Sequence, residues 1–343
     1  MKAAILHPNR RNLSIENIEI PPPKPKEIQI QVKSCGVCGS DVHLVLHGHL
    51  KPNQFPCVPG HEVSGIIEKL GEEVTKFKVG DRVVLGAGTS CGRCIHCQSG
   101  RENLCSQTGV RGFDSWGGYA EFANADEKDV VRLPETIPFD IGGILADAVS
   151  TPYHAVKFRG NLQVGENALV IGSGGLGIHA VAICKSLGAL EILVADIDEG
   201  SLENAKKFGA TECLLLGKGE NLGKKIQKMG KTVDIVLDFS GHMETVTSIF
   251  RITNRGGRIV LVGIGRSPLE IPIPFYLIER QISILGSYGS DRRALPDLIS
   301  LVENGDLNLK NSITDILPLE KANEALVHLD EKIGHPIRFV LSP

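Results

Sequence analysis

The sequence lacks any long run of apolar residues. Its most apolar region, residues 169–182, is interrupted by glycines and His179, and no stretch reaches the roughly 18 apolar residues that a membrane-spanning helix requires. The apolar stretch at the amino terminus ends at His7 and Pro8, which makes it too short for the core of a signal peptide. We therefore expect a cytoplasmic protein that neither enters a membrane nor is secreted.

Clustered positive charge is also scarce. The chain has 37 Lys and Arg against 40 Asp and Glu, which gives a net charge of -3. Binding to nucleic acid needs Lys or Arg grouped on one surface. The densest group has the spacing of a solvated helix face and consists of Lys224, Lys225, Lys228 and Lys231. We therefore do not expect nucleic acid as a partner.

Length and a change in pattern predict two domains. A chain of 343 residues exceeds the size at which one core usually stops growing, and its 42% hydrophobic content is enough for two cores. Residues 1–150 contain short β-rich segments broken by Gly and Pro, whereas residues 151–286 alternate apolar runs with helical patterns. This alternation predicts a parallel sheet with helices on both faces. We expect residues 287–343 to return to the first domain.

Individual segments follow from the same criteria. In the first domain we predict strands over residues 27–32, 62–69, 80–85, 119–123 and 130–133. In the second we predict strands over residues 168–171, 192–195, 213–216, 235–237, 259–262 and 282–285. In the tail we predict helices near residues 295–303 and 320–329 and a strand over residues 337–341.

Four of the nine cysteines are closely spaced. The pattern C-x2-C-x2-C-x7-C is formed by Cys91, Cys94, Cys97 and Cys105. It provides four thiolates for a tetrahedral, structural zinc site on a lobe of residues 88–106. Because the chain is long and shows no secretory signal, we interpret these cysteines as reduced metal ligands rather than disulfide partners. We interpret four others as small buried hydrophobic residues, namely Cys35, Cys57, Cys184 and Cys213.

A second, mixed set of metal-binding side chains lies upstream. Cys38, His61 and Glu62 combine sulfur, nitrogen and oxygen donors, a set that leaves one zinc position open for chemistry. The sequence therefore predicts two zinc ions per chain, one structural and one catalytic.

A glycine-rich turn predicts a nucleotide site. An apolar strand ending at Ile171 runs into a G-x-G-x-x-G motif and then a helix through about Leu187. Such glycines allow a tight turn, close approach of a pyrophosphate and close helix packing, with the phosphate at the helix amino end. The turn consists of Gly172, Ser173, Gly174, Gly175, Leu176 and Gly177.

Asp196 favours NAD over NADP. It follows Gly177 by nineteen residues at the end of the next strand, where a carboxylate would accept the ribose hydroxyls. A carboxylate would also repel a 2′-phosphate, and the residues that follow offer no Arg to hold one. The alternative is that Asp196 is the N-cap of a helix starting near Gly200.

In combination these motifs resemble those of the zinc-dependent alcohol and polyol dehydrogenases of the medium-chain dehydrogenase/reductase family. The resemblance covers nearly the whole chain and includes the string from Gly36 to His43. It implies an α/β fold with two domains. A GroES-like, β-rich catalytic domain would comprise residues 1–150 and 287–343, and a doubly wound Rossmann domain for NAD would comprise residues 151–286.

The resemblance also implies roles around Cys38. Cys38 and His61 would bind the catalytic zinc, with Glu62 beside it as an exchangeable ligand. Asp41 would fix the orientation of the His61 imidazole.

The remaining zinc ligand departs from the family pattern. Classical members have a Cys there, and alignment on Thr151 and Tyr153 puts Asp147 at this position. Polyol dehydrogenases of the family have a Glu. A carboxylate is a legitimate zinc ligand, but Asp is shorter than Glu, so direct ligation, ligation through water and a weakened site all remain open.

Further roles concern the proton and the cofactor. Ser40 resembles the hydroxyl that takes the alcohol proton, and His43 the base that passes it to solvent. Arg338 resembles the Arg that pairs with the pyrophosphate. The nicotinamide contacts would be formed by Thr151, Val262, Gly263 and Ile264.

The function implied is NAD-linked oxidation of a secondary alcohol to a ketone, or the reverse. The alcohol could be a polyol, a cyclic alcohol or an acyl-thioester-linked alcohol. Two alternatives are a zinc-independent reductase of activated double bonds and, from a different class, a non-catalytic nucleotide-binding protein; the intact metal and relay residues argue against both.

Related enzymes pair their nucleotide domains through the last strands, so the resemblance implies a homodimer or homotetramer. The corresponding region here is residues 264–286. Within it, the apolar residues 271–275 would be unusual if they were left exposed.

Overall fold

The structure is a computed structural model that describes residues 1–271 and 273–343. Two compact units are present, one of Met1–Ser150 with Gly289–Pro343 and one of Thr151–Tyr288. The apolar stretch at residues 271–275 includes Pro272, which lies outside the described residues. Ile271, Ile273 and Phe275 are exposed.

The first 150 residues are mostly β, as the segments broken by Gly and Pro predict. The strands are β1 (Lys2–Leu6), β2 (Leu13–Asn17), β3 (Glu27–Val37), β4 (Glu62–Leu70), β5 (Arg82–Leu85), β6 (Gly88–Thr89), β7 (Gly109–Val110), β8 (Phe122–Asp126) and β9 (Val130–Arg132). The helices are α1 (Gly39–Val42), α2 (Ile95–Gln98) and α3 (Phe139–Ile144), with π-helical segments His43–His47 and Leu145–Val149. Short 3-10 turns cover Glu102–Leu104 and Glu127–Asp129.

One predicted strand in this part was misplaced. The strand expected at residues 119–123 begins at Phe122 instead and pairs with β3. Residues 119–121 make irregular backbone bonds to β1, since Tyr119 O accepts from Ala4 and Glu121 N donates to Lys2 O. An apolar pattern cannot separate this irregular pairing from a regular ladder.

The second unit contains the predicted alternation of strands and helices. After α4 (Ser150–Tyr153) and the π-helical segment His154–Arg159, its elements are β10 (Asn167–Ile171), α5 (Gly177–Ser186), β11 (Glu191–Asp196), α6 (Glu199–Phe208), β12 (Glu212–Leu215), α7 (Leu222–Lys228), β13 (Val233–Asp238), α8 (Met243–Ser248), β14 (Thr253–Leu261), α9 (Pro274–Glu279) and β15 (Ser283–Gly286).

In the part of this unit that the structure describes, the strands form one parallel sheet in the order β12-β11-β10-β13-β14-β15. All the strands predicted for residues 168–285 are therefore found, and the doubly wound α/β fold is confirmed. The strand order reverses beside β10, and ligands of such sheets bind at the carboxyl ends of the strands at this point.

The last 55 residues belong to the first unit. They form α10 (Ala294–Glu303), β16 (Asp315–Pro318), a 3-10 turn at Leu319–Lys321, α11 (Ala322–Asp330) and β17 (Phe339–Ser342). The resulting sheet runs β16-β17-β3-β4-β5-β9, with β8 also paired to β3. β17 lies antiparallel to β3, so that Val340 faces Gly36 across the ladder. The core beneath this sheet includes Ile30, Val63 and Leu341.

Among the described residues, no helix has the length and apolar character needed to cross a membrane.

Candidate active site

The four side chains predicted to bind the catalytic zinc lie together in the first unit. One ligand atom from each of Cys38, His61, Glu62 and Asp147 lies within 4.8 Å of all the others. Asp147 Oδ2 is 3.8 Å from Cys38 Sγ and 3.4 Å from His61 Nε2. Cys38, His61 and Glu62 are buried, whereas the Asp147 side chain is 19% exposed. Sulfur, nitrogen and carboxylate oxygen at these separations are a donor set that suits zinc.

Backbone elements explain how residues distant in sequence converge here. Cys38 follows the last residue of β3, and Glu62 begins the neighbouring strand β4. Asp147 lies in the π-helical segment that follows α3. Helix α3 packs on both β3 and β4. Gly143 permits this packing because a Cβ there would lie 2.8 Å from Ser34 Oγ.

Asp41 supports both Cys38 and His61 from behind. Its Oδ2 accepts hydrogen bonds from the Cys38 N–H at 3.0 Å and from the Tyr119 hydroxyl at 3.1 Å. Its Oδ1 lies 3.6 Å from His61 Nδ1, slightly beyond hydrogen-bond distance. A carboxylate in this place orients the imidazole so that Nε2 faces the other donors.

Glu62 is completely buried, and a cation lies behind it. Arg338 Nη1 is 3.5 Å from Glu62 Oε1 and donates to Val37 O at 2.9 Å. Position 36 is a glycine for a steric reason, because a Cβ there would lie 2.0 Å from Glu62 Oε2. Within the described residues, neither Glu62 oxygen has a hydrogen-bond partner. A buried carboxylate with acceptors to spare fits a position beside a metal ion.

Two side chains of this cluster have pKa values above their usual ones. Burial raises the pKa of Glu62 to about 7, although Arg338 lowers it. Burial lowers the pKa of His61, but the charge of Asp41 and hydrogen bonding with Asp147 outweigh burial and raise this pKa well above its usual value. A divalent cation can replace such protons, because metal binding requires neutral His and ionised carboxylate. The residues present therefore fit zinc.

The two side chains predicted to carry the substrate proton follow Cys38 along the chain. Ser40 lies in α1, and His43 begins the π-helical segment and is exposed. A partly buried hydroxyl followed by an exposed imidazole has the order that a path to solvent needs.

The four cysteines of the 88–106 lobe form a second candidate metal centre. Their sulfurs all lie within 4.8 Å of one another. Cys97 Sγ is 3.5 Å from Cys94 Sγ and 3.9 Å from Cys91 Sγ. Zinc–sulfur bonds of about 2.3 Å in a tetrahedron place sulfurs about 3.8 Å apart. The lobe is therefore already shaped for a tetrahedral ion.

Ionisation within the lobe points the same way. The backbone N–H groups of Arg93 and Cys94 lower the pKa of Cys91 to about 6. The backbone N–H of Cys97 lowers the pKa of Cys94, but burial and the neighbouring thiols outweigh it and raise this pKa to about 11. The raised pKa of Cys94 shows that ionising one thiol makes it harder to ionise the next. Four adjacent thiolates therefore need a cation to offset their mutual repulsion.

The other cysteines are mostly inert. Cys35, Cys57 and Cys184 are buried, and burial raises the pKa of Cys57 and of Cys184 to about 12. The prediction was wrong for Cys213, which is only partly buried and lies in β12, an edge strand of its sheet.

The glycine motif forms a turn between β10 and α5 in the second unit. Gly172 has a φ of 85°, in the left-handed region. A Cβ on Gly177 would lie 1.8 Å from Gly172 O, so only glycine permits this close approach. Gly174, by contrast, is exposed, and no atom lies within 4 Å of the place where its Cβ would be. The amino end of α5 is thus open to an anion, which fits the pyrophosphate of a dinucleotide.

Asp196 ends β11 next to this turn. Its Oδ2 accepts from the Ser173 N–H at 2.6 Å and from the Ser173 hydroxyl at 3.0 Å. The alternative reading, in which Asp196 caps the next helix, is wrong. The cap of α6 is Asp198, whose side chain accepts from the Ser201 N–H. Asp196 instead braces the glycine turn.

The residues predicted to contact nicotinamide lie at two places in the second unit. Val262 and Gly263 directly follow β14 and both donate backbone N–H groups to Asp238 O at 2.9 Å. Ile264 is 85% exposed. Thr151 lies in α4 and is buried.

Sequence reasoning missed two buried polar residues that organise these sites. Tyr119 is hydrogen-bonded to Asp41, and no local motif points to it. Asp238 ends β13 beside the glycine turn and accepts from Ser240 and Gly241. An Asp closing a buried apolar run was the available signal for Asp238.

Two known families match the chain. Residues 24–135 match the alcohol dehydrogenase GroES-like domain, and residues 175–304 match the zinc-binding dehydrogenase family. An alcohol dehydrogenase from Geobacillus stearothermophilus is 33% identical over 328 residues, which is 94% of each chain. The chain belongs to the zinc-binding alcohol dehydrogenases. This confirms the resemblance drawn from the zinc and glycine motifs.

Other relatives of this zinc-binding alcohol dehydrogenase agree. The sorbitol dehydrogenase of Bacillus subtilis (strain 168) is 30% identical over 331 residues, covering 95% of this chain and 92% of the relative. An alcohol dehydrogenase from E. coli CFT073, solved with NADH, matches with a TM-score of 0.93 and 27% identity over 100% of this chain and 99% of its own. The protein is thus a zinc-binding dehydrogenase of small-molecule alcohols and ketones, and its solved relative binds NADH.

Proposed function

We propose that this dehydrogenase interconverts a secondary alcohol of the polyol class and the corresponding ketone. The observation that carries the proposal is the convergence of Cys38, His61, Glu62 and Asp147, with one donor atom from each within 4.8 Å of the others. A donor set that includes two carboxylates beside Cys and His matches the polyol branch of the family better than a set with two Cys. The similarity to a sorbitol dehydrogenase supports the same substrate class.

The proposed ligands of the catalytic zinc are Cys38, His61 and Asp147, with Glu62 exchangeable. When bound, zinc supplies Lewis acidity that lowers the pKa of a substrate hydroxyl, and NAD supplies the acceptor for the hydride. Asp41 holds His61 in its ligating orientation, and Arg338 balances the charge of Glu62 from behind.

The chain itself moves the proton. The Ser40 hydroxyl accepts the alcohol proton and passes on its own, and His43, being exposed, releases a proton to water.

The cofactor role of the second unit rests on the glycine turn. We assign the pyrophosphate to the amino end of α5, with the turn formed by Gly172, Gly174, Gly175, Leu176 and Gly177. The ribose is assigned to Asp196, which excludes a 2′-phosphate. Residues 151–286 then act as the NAD-binding domain, and residues 1–150 with 287–343 act as the catalytic domain. A pyrophosphate role for Arg338 stays a prediction, since its observed partners are Glu62 and Val37.

We also propose a homo-oligomer formed through the β15 edge of the second sheet. β15 is the last strand of the described part of this sheet. Nearby Ile264, Phe275 and Ile278 are 85%, 61% and 74% exposed. Unpaired strand edges and grouped apolar side chains favour association with a second copy.

The test of the function concerns Asp147. Zinc per chain and NAD-linked oxidation of polyols, simple secondary alcohols and cyclic alcohols should be measured on the parent, on Asp147→Ala and on Asp147→Glu. We expect two zinc ions in the parent and one in Asp147→Ala, with turnover reduced at least about 100-fold. Asp147→Glu should keep both ions.

The matched control is Asp140→Ala, which removes a carboxylate from α3 outside the cluster and should keep zinc and turnover. One zinc in the parent, unchanged in Asp147→Ala, would refute the proposal. Turnover of simple alcohols only would refute the polyol class.

A further inference from the structure

Three histidines lie together on the surface at the end of the proposed proton path, which His43 itself forms. Ligand nitrogens of His43, His47 and His49 all lie within 4.8 Å of one another. Their ring centroids are 5.3 to 5.8 Å apart. We call these residues the three-histidine cluster.

Backbone structure holds two of the rings at metal-like spacing. His43 and His47 are the first and last residues of one π-helical segment, and their Nδ1 atoms are 3.2 Å apart. Zinc–nitrogen bonds of about 2.0–2.1 Å in a tetrahedron place ligand nitrogens about 3.3 Å apart. After the left-handed turn at Gly48, the His49 N–H bonds to His43 O at 2.9 Å, which brings the third ring back over the first.

A carboxylate orients the central ring. His47 Nε2 lies 3.0 Å from Asp330 Oδ2, at the end of α11. Because a carboxylate only accepts, Nε2 carries the hydrogen and the Nδ1 lone pair of neutral His47 faces the cluster. Metal-ligating histidines are typically held in this way, with the second ring nitrogen donating to a carboxylate.

From this geometry we propose that His43, His47 and His49 bind a third divalent metal ion, separate from the two zinc sites. Three imidazoles select borderline ions such as Zn²⁺, Ni²⁺ and Cu²⁺ over Mg²⁺ or Ca²⁺. His43 and His49 are exposed, so the site is open to metal in solution and water can complete the coordination.

Occupancy would inhibit the enzyme. A metal on His43 takes the lone pair that would receive a proton, so the path from Ser40 to water is blocked. This part of the proposal rests on the proposed role of His43, whereas the binding site itself does not.

The experiment is a titration of the zinc-loaded enzyme with Ni²⁺, followed by isothermal calorimetry, with released zinc measured in parallel. The parent should bind one nickel ion without losing zinc. His49→Ala and His47→Ala should each weaken binding by about 10- to 100-fold, and Asp330→Asn by about tenfold. The control His242→Ala removes an exposed histidine from the second unit and should bind nickel like the parent.

Activity assays in the same nickel series test the inhibition. Turnover of the parent and of His242→Ala should fall as nickel binds, whereas His49→Ala should keep its turnover. Equal nickel affinity in the parent and His49→Ala, or zinc release that matches nickel uptake, would overturn the site. Nickel binding with full turnover would overturn the inhibitory role. If the parent shows no NAD-linked oxidation at all, the proposed function fails, and the calorimetry still decides whether the site exists.

Discussion

Asp41 shows how a single side chain can determine the geometry of a metal centre. Its Oδ2 accepts hydrogen bonds from the Cys38 backbone and the Tyr119 hydroxyl, and its Oδ1 lies 3.6 Å from the His61 ring. The Asp41 side chain is completely buried. A charged acceptor without solvent contact depends on the donors around it, because burial removes the water that would otherwise satisfy it. We therefore expect Tyr119 to influence zinc binding through Asp41, to which its hydroxyl donates.

Replacing Tyr119 by Phe tests this dependence. Loss of a buried hydrogen bond to a charged group should lower the free energy of unfolding by about 2 kcal/mol. It should also weaken zinc retention, because Asp41 and then His61 become less well held. Urea unfolding and zinc content after dialysis against a chelator measure the two effects.

The control is Tyr276→Phe, which keeps the ring stacked near Arg280 and removes a hydroxyl outside the zinc cluster. If Tyr119→Phe were as stable as this control and retained as much zinc, the Tyr119 hydroxyl would not support the catalytic zinc site.

Functional residues that lie close together in the sequence could be predicted from their spacing, whereas those that meet only in the folded chain could not. The lobe cysteines lie within fifteen residues of one another, so their pattern alone identified a metal centre. Tyr119 and Arg338 act through contacts that only the folded sheet creates: Arg338 reaches Val37 across 301 residues of chain. No local pattern distinguishes such a residue from an ordinary buried one.

At the scale of elements, the turn between β10 and α5 contains two glycines that are needed for different reasons. Gly177 packs against the backbone of Gly172, whereas Gly174 faces open space. The first glycine is required by the fold itself. The second is required only if a ligand approaches the backbone there.

Replacing each glycine by alanine should separate the requirement of the fold from the requirement of the ligand. Gly177→Ala forces a Cβ into Gly172 O and should cost about 2–3 kcal/mol of stability. The free energy of unfolding of Gly174→Ala should lie within about 0.5 kcal/mol of the parent value. This variant should bind NADH about tenfold more weakly, because the added methyl group occupies the place of the pyrophosphate. Urea unfolding and NADH fluorescence titration measure both quantities, and each variant is the control for the other. Unchanged NADH affinity in Gly174→Ala would show that the pyrophosphate lies elsewhere.

The regular elements were the most predictable part of the fold. Every strand of the second sheet was anticipated, because buried parallel strands are short apolar runs between helices. The irregular parts were not. Residues 119–121 bond to β1 outside the main sheet, and the π-helical segments that carry His43 and Asp147 have no sequence pattern of their own.

At the scale of the whole molecule, the exposed apolar residues beside β15 are the main unexplained surface. Light scattering after size-exclusion chromatography should give a mass of at least twice the 36.9 kDa chain. Phe275→Asp should shift the protein towards a single chain, since a charge in an apolar interface must be desolvated. The control Val164→Asp changes an even more exposed apolar residue elsewhere in the unit and should keep the parent mass. A parent that elutes as one chain would contradict the proposed assembly.

The position of β17 has a consequence for how the protein is made. β17 lies between β16 and β3, yet it occupies residues 339–342, so it leaves the ribosome long after β3. At about 5–20 residues per second, the 301 residues between Val37 and Arg338 take about 15 to 60 seconds to translate. During that time the end of β3 next to Cys38 has an unpaired edge, and Glu62 has no counter-charge from Arg338. Residues 338–342, which are translated long after β3, thus supply both the missing neighbour of β3 and the positive charge beside Glu62.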